Sequence, residues 1–377
     1  MSGAARALGF VALALLPVPG RAQPPASPPP SPSPAPSPTP GLPAGKLQAA
    51  ETAINVAMYR YGIPGLSVAV AAGGSVRLSA GYGLADVENS VPAGPLTVYR
   101  LASVSKPITA VAVMQLAAKG KLDLDAPVQR YVPSYPEKQW PLTCRQLLCH
   151  QGGVRQWTED EFLSTRHYAS LIEALDFFKN DPLAFEPGTR TLYTSLGYNL
   201  LGLAVESASG QGYVDYLREN VFTPAEMETA WVDDVFALVP HRAQGYKKEA
   251  GGELFNSALS DTSNRVPGGG LIATAEDVAR FALALHSGGL LKKETREQMF
   301  ARQRTRDGKL TGYGLGWAVG SDRGRREVYH IGGQPKVSTA LYMLPDQGVA
   351  VAVLANLEGV GTPLLELARQ VAEIAVR

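Results

Sequence analysis

The sequence predicts an α+β fold (α/β in the broad sense): one antiparallel sheet built from both ends of the chain, flanked by helices, with a helical region inserted between the ends. Three observations carry this. Strand-like runs at 65–72 and 75–81 are joined at Gly73-Gly74, a pair that favours a two-residue hairpin turn. Two further runs, 337–344 and 348–354, alternate around the turn residues Pro345-Asp346-Gln347. The stretch between them, about 125–300, reads as helices and loops. Strands at both termini with helices between them fit a single sheet closed from its two ends.

Taken in order, residues 1–22 have the pattern of a targeting segment. Arg6 gives a positive start, 7–16 is an apolar run too short to cross a bilayer, and Gly20 and Ala22 suit a processing site. No Asp or Glu occurs before Glu51, as in a mitochondrial presequence, but arginine is sparse for one. The expectation is therefore export to the periplasm or outside, with no membrane span left after processing. Residues 23–44 read as a proline-rich linker, because 24–43 hold 11 of the 29 prolines. Such a run forms semi-rigid polyproline II reaching about 60 Å. The folded domain is expected over 45–377. It opens with a helix at 46–61, and 104–119 forms an apolar helix ended by Gly120. A last helix spans 361–375, and no internal repeat appears.

Composition excludes several function classes. With 35 basic and 34 acidic residues, the net charge of +1 offers no global field for nucleic acid, and no basic cluster with interleaved aromatics occurs. The two cysteines, Cys144 and Cys149, lie five residues apart in a helix-like segment. A rise of about 7.5 Å over five helical residues is too long for a disulfide. The five histidines are scattered without metal-ligand spacing, so no metal is expected.

Ser103 is the only serine with a lysine three residues on, in Ser103-Val104-Ser105-Lys106. Positions i and i+3 share a helical face, so amine and hydroxyl can meet. Pro107 would clash in a helix interior, which puts the helix start no earlier than about Ser103. The serine then sits where free N–H groups and the helix dipole favour a developing oxyanion. Tyr193-Thr194-Ser195 lies in a loop before an apolar helix at 198–207. A tyrosine beside a lysine ammonium favours its phenolate form and can relay a proton. His330-Ile331-Gly332-Gly333 stands directly before the first C-terminal strand, where glycines let a substrate lie close and expose N–H donors. Each pattern also has a plain structural reading: a helix cap, a core tyrosine, a turn.

In order and spacing, these motifs resemble those of the serine β-lactamase and penicillin-binding protein superfamily, over about 65–357. Ser103–Lys106 looks like its S-x-x-K motif. Tyr193–Ser195 resembles the Y-x-N motif of the class C branch, and His330–Gly332 the H-x-G form of its third motif. Supporting stretches are 120–125, 147–153 and 268–271. Details at 103–107, 131–133 and 179–183 are most similar to the mitochondrial serine β-lactamase-like branch, regarded as peptidases.

The resemblance implies a β-lactamase/transpeptidase-like fold and a Ser-Lys-Tyr mechanism without cofactor. Ser103 would form the acyl-enzyme, and Lys106 and Tyr193 would share the proton transfers. The N–H groups of Ser103 and Gly333 would hold the oxyanion, with Ser195, His330 and Gly332 contacting substrate. His150 would be structural, and Gly268–Gly270 would provide close backbone packing. Two departures bear on substrate. Ser195 replaces an amide by one hydroxyl, and His330 stands where typical β-lactamases carry lysine. A neutral histidine pairs poorly with an antibiotic's carboxylate. The expected substrate is therefore a peptide or peptide-like amide, including D-alanyl and other D-amino-acid peptides. A β-lactamase or small-ester carboxylesterase is the alternative, and a non-catalytic scaffold the alternative of another class. Oligomeric state is not legible.

Overall fold

The computed structural model describes residues 41–377. The expected targeting segment and all but the last four residues of the proline-rich linker lie outside them. Of those four, Leu42 donates its N–H to the Arg77 carbonyl at 3.1 Å, and Ala44 already opens the first helix, α1 (Ala44–Tyr61).

A seven-stranded sheet forms the centre. Its strands are β1 (Gly65–Ala72), β2 (Ser75–Asp86), β3 (Val91–Pro92), β4 (Ala318–Asp322), β5 (Arg325–Gln334), β6 (Val337–Leu344) and β7 (Val349–Ala355). The order is β3-β2-β1-β7-β6-β5-β4, and every neighbouring pair is antiparallel. The two chain ends meet at the seam between β1 and β7, in register from Leu66 opposite Ala355 to Ala72 opposite Val349. The β1–β2 turn falls on Gly73 (φ +58°) and Gly74 (φ +80°), both in the left-handed region that a tight hairpin requires.

The seam strands are buried on both faces, so they alternate in size rather than polarity. Leu66, Val68 and Val70 of β1 and Val349, Val351 and Val353 of β7 pack in the layer of α1 and the terminal helix Gly361–Val376. The opposite face shows Ala69, Ala71, Ala350 and Ala352, small side chains that admit helix Ala275–Ser287 close to the sheet. Beyond it lies the inserted helical region, with α2 (Ser105–Ala118) at its centre. Every residue of α2 from Ser105 to Leu116 is buried, so the helix is apolar all round and rigidly held.

Two expectations need correction. Strand β2 continues to Asp86 instead of stopping at 81. His330–Gly333 does not precede the first C-terminal strand but lies inside β5, with His330 opposite Leu341 and Gly332 opposite Thr339. Adjacent glycines have poor strand propensity, and their pairing with β6 supplies what local sequence does not. Cys144 and Cys149 are free buried thiols, pushed up to about 12 by burial, which makes them poor nucleophiles.

Candidate active site

The turn Ala102–Val104, one 3-10 turn ahead of α2, carries Ser103 and is fixed from two sides. Leu101 donates its N–H to the Leu271 carbonyl at 2.7 Å, and the Leu101 carbonyl accepts from Thr339 Oγ1 of β6 at 2.9 Å. Ala102 has φ +47°, a conformation a β-carbon disfavours, so surrounding contacts hold the residue before Ser103 in a strained state. Gly332 explains how β5 comes so near. A β-carbon there would lie 2.8 Å from the Leu101 carbonyl oxygen and 3.0 Å from Ala102 Cβ.

Lys106, one residue into α2, is fully buried. Its Nζ lies 3.0 Å from Ser103 Oγ, 2.9 Å from Ser195 Oγ and 2.6 Å from the Gly268 carbonyl oxygen. No carboxylate is among these partners. Burial, followed by the charge of Arg265, therefore holds the amine well below its ordinary value and favours the neutral form. Glycine at 268 eases close packing on Ser195, since a β-carbon there would sit 3.0 Å from the Ser195 carbonyl oxygen.

Tyr193 joins this group from the segment before helix Leu196–Ser209. Its hydroxyl hydrogen-bonds Ser103, and Lys106 Nζ lies 4.9 Å from its ring centroid. Burial pushes the phenol up, against the phenolate expected beside an ammonium. With lysine itself displaced toward the neutral amine, the ammonium that would stabilise a phenolate is disfavoured. His150 packs at a tilt against Tyr193 with centroids 4.4 Å apart, and its Nδ1 accepts the Thr194 N–H at 3.4 Å. That places it behind the tyrosine as a support.

His330 is buried on β5, and burial, then the charge of Lys106, pushes it down to about 3. Its Nδ1 donates to the Ile331 carbonyl at 2.8 Å, which leaves Nε2 as a bare acceptor, buried without a partner among the described residues. Gly333, exposed on the same strand, has open space where a β-carbon would point.

Ser103, Tyr193 and Gly333 separate two arms of one cleft. One, of about 380 Å³, is lined by Trp157, Phe162, Ser195, Arg265, Gly268 and Gln334 among others. The other, of about 400 Å³, is lined by Tyr313, Ala318, Tyr329, His330 and Ile331. The structure thus brings together Ser103, Lys106, Tyr193, Ser195, His330, Gly332 and Gly333. Sequence reasoning missed the Gly268 carbonyl as a lysine acceptor, and missed Trp157, Arg265, Tyr313 and Gln334. A backbone carbonyl leaves no residue signature, and the four side chains come from segments scattered over 157–334. Among the described residues, no group of three or more His, Cys, Asp or Glu side chains could hold a metal ion, and no helix is long and apolar enough to cross a membrane.

Comparison with known proteins gives a consistent result. The family described as Beta-lactamase matches residues 50–376. The human "Serine beta-lactamase-like protein LACTB, mitochondrial" is 30% identical over 411 residues, covering 80% of this chain and 74% of that protein. Penicillin-binding protein 4* of Bacillus subtilis is 29% identical, covering 78% of this chain and 68% of its own. Among solved structures, the octameric penicillin-binding protein homologue from Pyrococcus abyssi superimposes with a TM-score of 0.72 at 25% identity, covering 85% of this chain and 75% of that one.

Proposed function

Because the chain belongs to the Beta-lactamase family, we propose that it is a serine hydrolase that opens peptide or peptide-like amide bonds through an acyl-enzyme on Ser103. The observation that carries this reading is the buried Lys106 amine, 3.0 Å from Ser103 Oγ with no carboxylate to keep it protonated. As a neutral amine it keeps its N–H groups on the Gly268 carbonyl and Ser195 Oγ, and its lone pair takes the Ser103 proton as Oγ bonds to the substrate carbonyl carbon. The electron pair moves to the carbonyl oxygen, where the N–H groups of Ser103 and Gly333 receive it, each worth about 3 kcal/mol of barrier. Tyr193, hydrogen-bonded to Ser103, gives a proton to the departing nitrogen and is resupplied from Lys106. Water then opens the acyl ester by the reverse sequence. The similarity to the B. subtilis protein, named for binding penicillin, itself a cyclic amide, supports a site that accepts an amide.

His330 supports the choice of substrate. The arm it lines contains no lysine or arginine, and the imidazole is neutral at pH 7. The carboxylate of a β-lactam antibiotic would meet an acceptor there instead of a cation. We therefore expect D-amino-acid peptide amides to be turned over faster than nitrocefin. A fluorophosphonate probe should label the wild-type protein and leave Ser103→Ala unlabelled. Equal labelling of both would remove the catalytic reading and favour a scaffold, whereas nitrocefin turnover matching that of peptides would favour a β-lactamase.

A further inference from the structure

The cleft arm opposite His330 holds a cation that pairs with no carboxylate among the described residues. Arg265, only 2% exposed, follows Ser263 and Asn264 in a single 3-10 turn. Its Nη1 donates to the Phe162 carbonyl at 2.8 Å. Its guanidinium carbon lies 4.6 Å from the Phe162 ring centroid and 5.5 Å from that of Trp157. Nε and Nη2 are buried with no hydrogen-bond partner among the described residues. These two nitrogens share one edge of the planar fork, an edge that can hold a carboxylate with two parallel bonds.

The acids whose charge reaches Arg265 are engaged elsewhere. Asp233 pairs with Arg100 at 2.7 Å, and Asp261 with His167 at 2.9 Å and the Ser263 N–H at 2.8 Å. Burial and the charge of Arg100 lower Arg265 to about 10, which leaves it cationic at neutral pH. A buried cation without a counter-charge costs folding stability, so its presence in a cleft wall points to a ligand that supplies the charge.

The same wall has two more orphaned donors. Gln334 Nε2 and Trp157 Nε1 are both buried without partners among the described residues, and both side chains line this arm. Gln334 and Arg265 flank Gly269, where a β-carbon would lie 3.4 Å from Gln334 Oε1 and 3.7 Å from Arg265 Cδ. Every fully buried, unpartnered polar atom of the three side chains among the described residues is therefore a donor. Glu159 also lines the arm, but it is exposed at the rim and solvated.

Building on the serine hydrolase reading, we propose that this arm is a carboxylate subsite: Arg265 binds, bidentately, a carboxylate on the part of the substrate next to the scissile bond, with Gln334 and Trp157 donating to the same group. The substrate class is then an acidic amide or ester. A neutral substrate leaves the donors unpaired and gains nothing from them.

Matched esters test this: mono-p-nitrophenyl glutarate against p-nitrophenyl pentanoate, which have the same chain length. A charge-assisted contact predicts a wild-type kcat/KM about tenfold or more higher for the glutarate ester. The ratio should fall toward one in Arg265→Met and be partly kept in Arg265→Lys. Because Arg265→Met risks misfolding, the wild-type ratio stands as a test by itself. A second readout is the thermal shift of Ser103→Ala with free glutarate, expected to exceed that with glutaramide and to vanish in the Ser103→Ala/Arg265→Met double variant. A wild-type ratio at or below one, with the neutral ester turned over, overturns the subsite and leaves the hydrolase reading intact. If neither ester is turned over and Ser103 takes no label, the hydrolase reading fails, and the glutarate shift alone decides the subsite. Equal shifts with and without Arg265 overturn it.

Discussion

Lys106→Met should lower kcat by about 10²–10⁴-fold, the range for loss of a positioned general base, while leaving the melting temperature at or above that of wild type. The two halves of this expectation have one cause. Lys106 is fully buried among a serine pair and a carbonyl, with no acid beside it. Its folded-state value lies well below the 10.5 of an exposed lysine. Between those two values the unfolded chain binds a proton that the folded chain does not, so this residue makes stability rise with pH across that window. At neutral pH the group therefore costs stability, and methionine, of similar length and without charge, removes the cost. A merely structural lysine would behave in the opposite way, losing stability on substitution with little change in turnover. Ester turnover and thermal melts of the same two proteins at neutral pH separate the cases. The difference in melting temperature should also shrink as pH approaches 10.5.

Gly332→Ala is the second large effect. The new β-carbon would lie 2.2 Å from Thr339 Oγ1, 2.8 Å from the Leu101 carbonyl oxygen and 3.0 Å from Ala102 Cβ. Rotating Thr339 relieves only the first contact, and only by breaking its bond to that carbonyl. Strand β5 must then move off the turn that bears Ser103. Overpacking of this kind costs about 1–3 kcal/mol. A displacement near 1 Å between nucleophile and oxyanion donor costs about a hundredfold in rate. Gly333→Ala is the control for stability, because nothing lies within 4 Å of its β-carbon position and its melting temperature should stay near that of wild type. Activity and melts of the two alanine variants, measured side by side, check both statements. An unchanged Gly332→Ala enzyme would mean that β5 does not abut the nucleophile turn.

Much of the frame was legible because local signals agreed with the tertiary outcome. The glycine pair at 73–74, the apolar alternation at 337–354 and Pro107 each have a meaning that survives folding. The sheet closed from both ends followed from the positions of the strands alone. What stayed hidden is non-local. The glycines of β5 carry no strand signature, so the third motif is expected just before the strand, and its pairing with β6 places it inside the sheet. The proximity of Lys106 and Tyr193 suggested an ammonium and a phenolate, yet burial drives both groups toward their neutral forms. Burial depth cannot be read from motif spacing. Arg265 lies 65 positions before His330, and only the fold makes both walls of one cleft.

Ser103 is activated by a lysine whose burial favours the neutral amine, and the pH dependence of fluorophosphonate labelling tests this most directly. The rate constant for labelling Ser103 should rise with pH through one ionisation well below 10.5 and reach a plateau before that value. In Lys106→Met that ionisation should disappear. A rate that keeps climbing through pH 10.5, or a Lys106→Met profile that overlays the wild-type curve, would contradict the account.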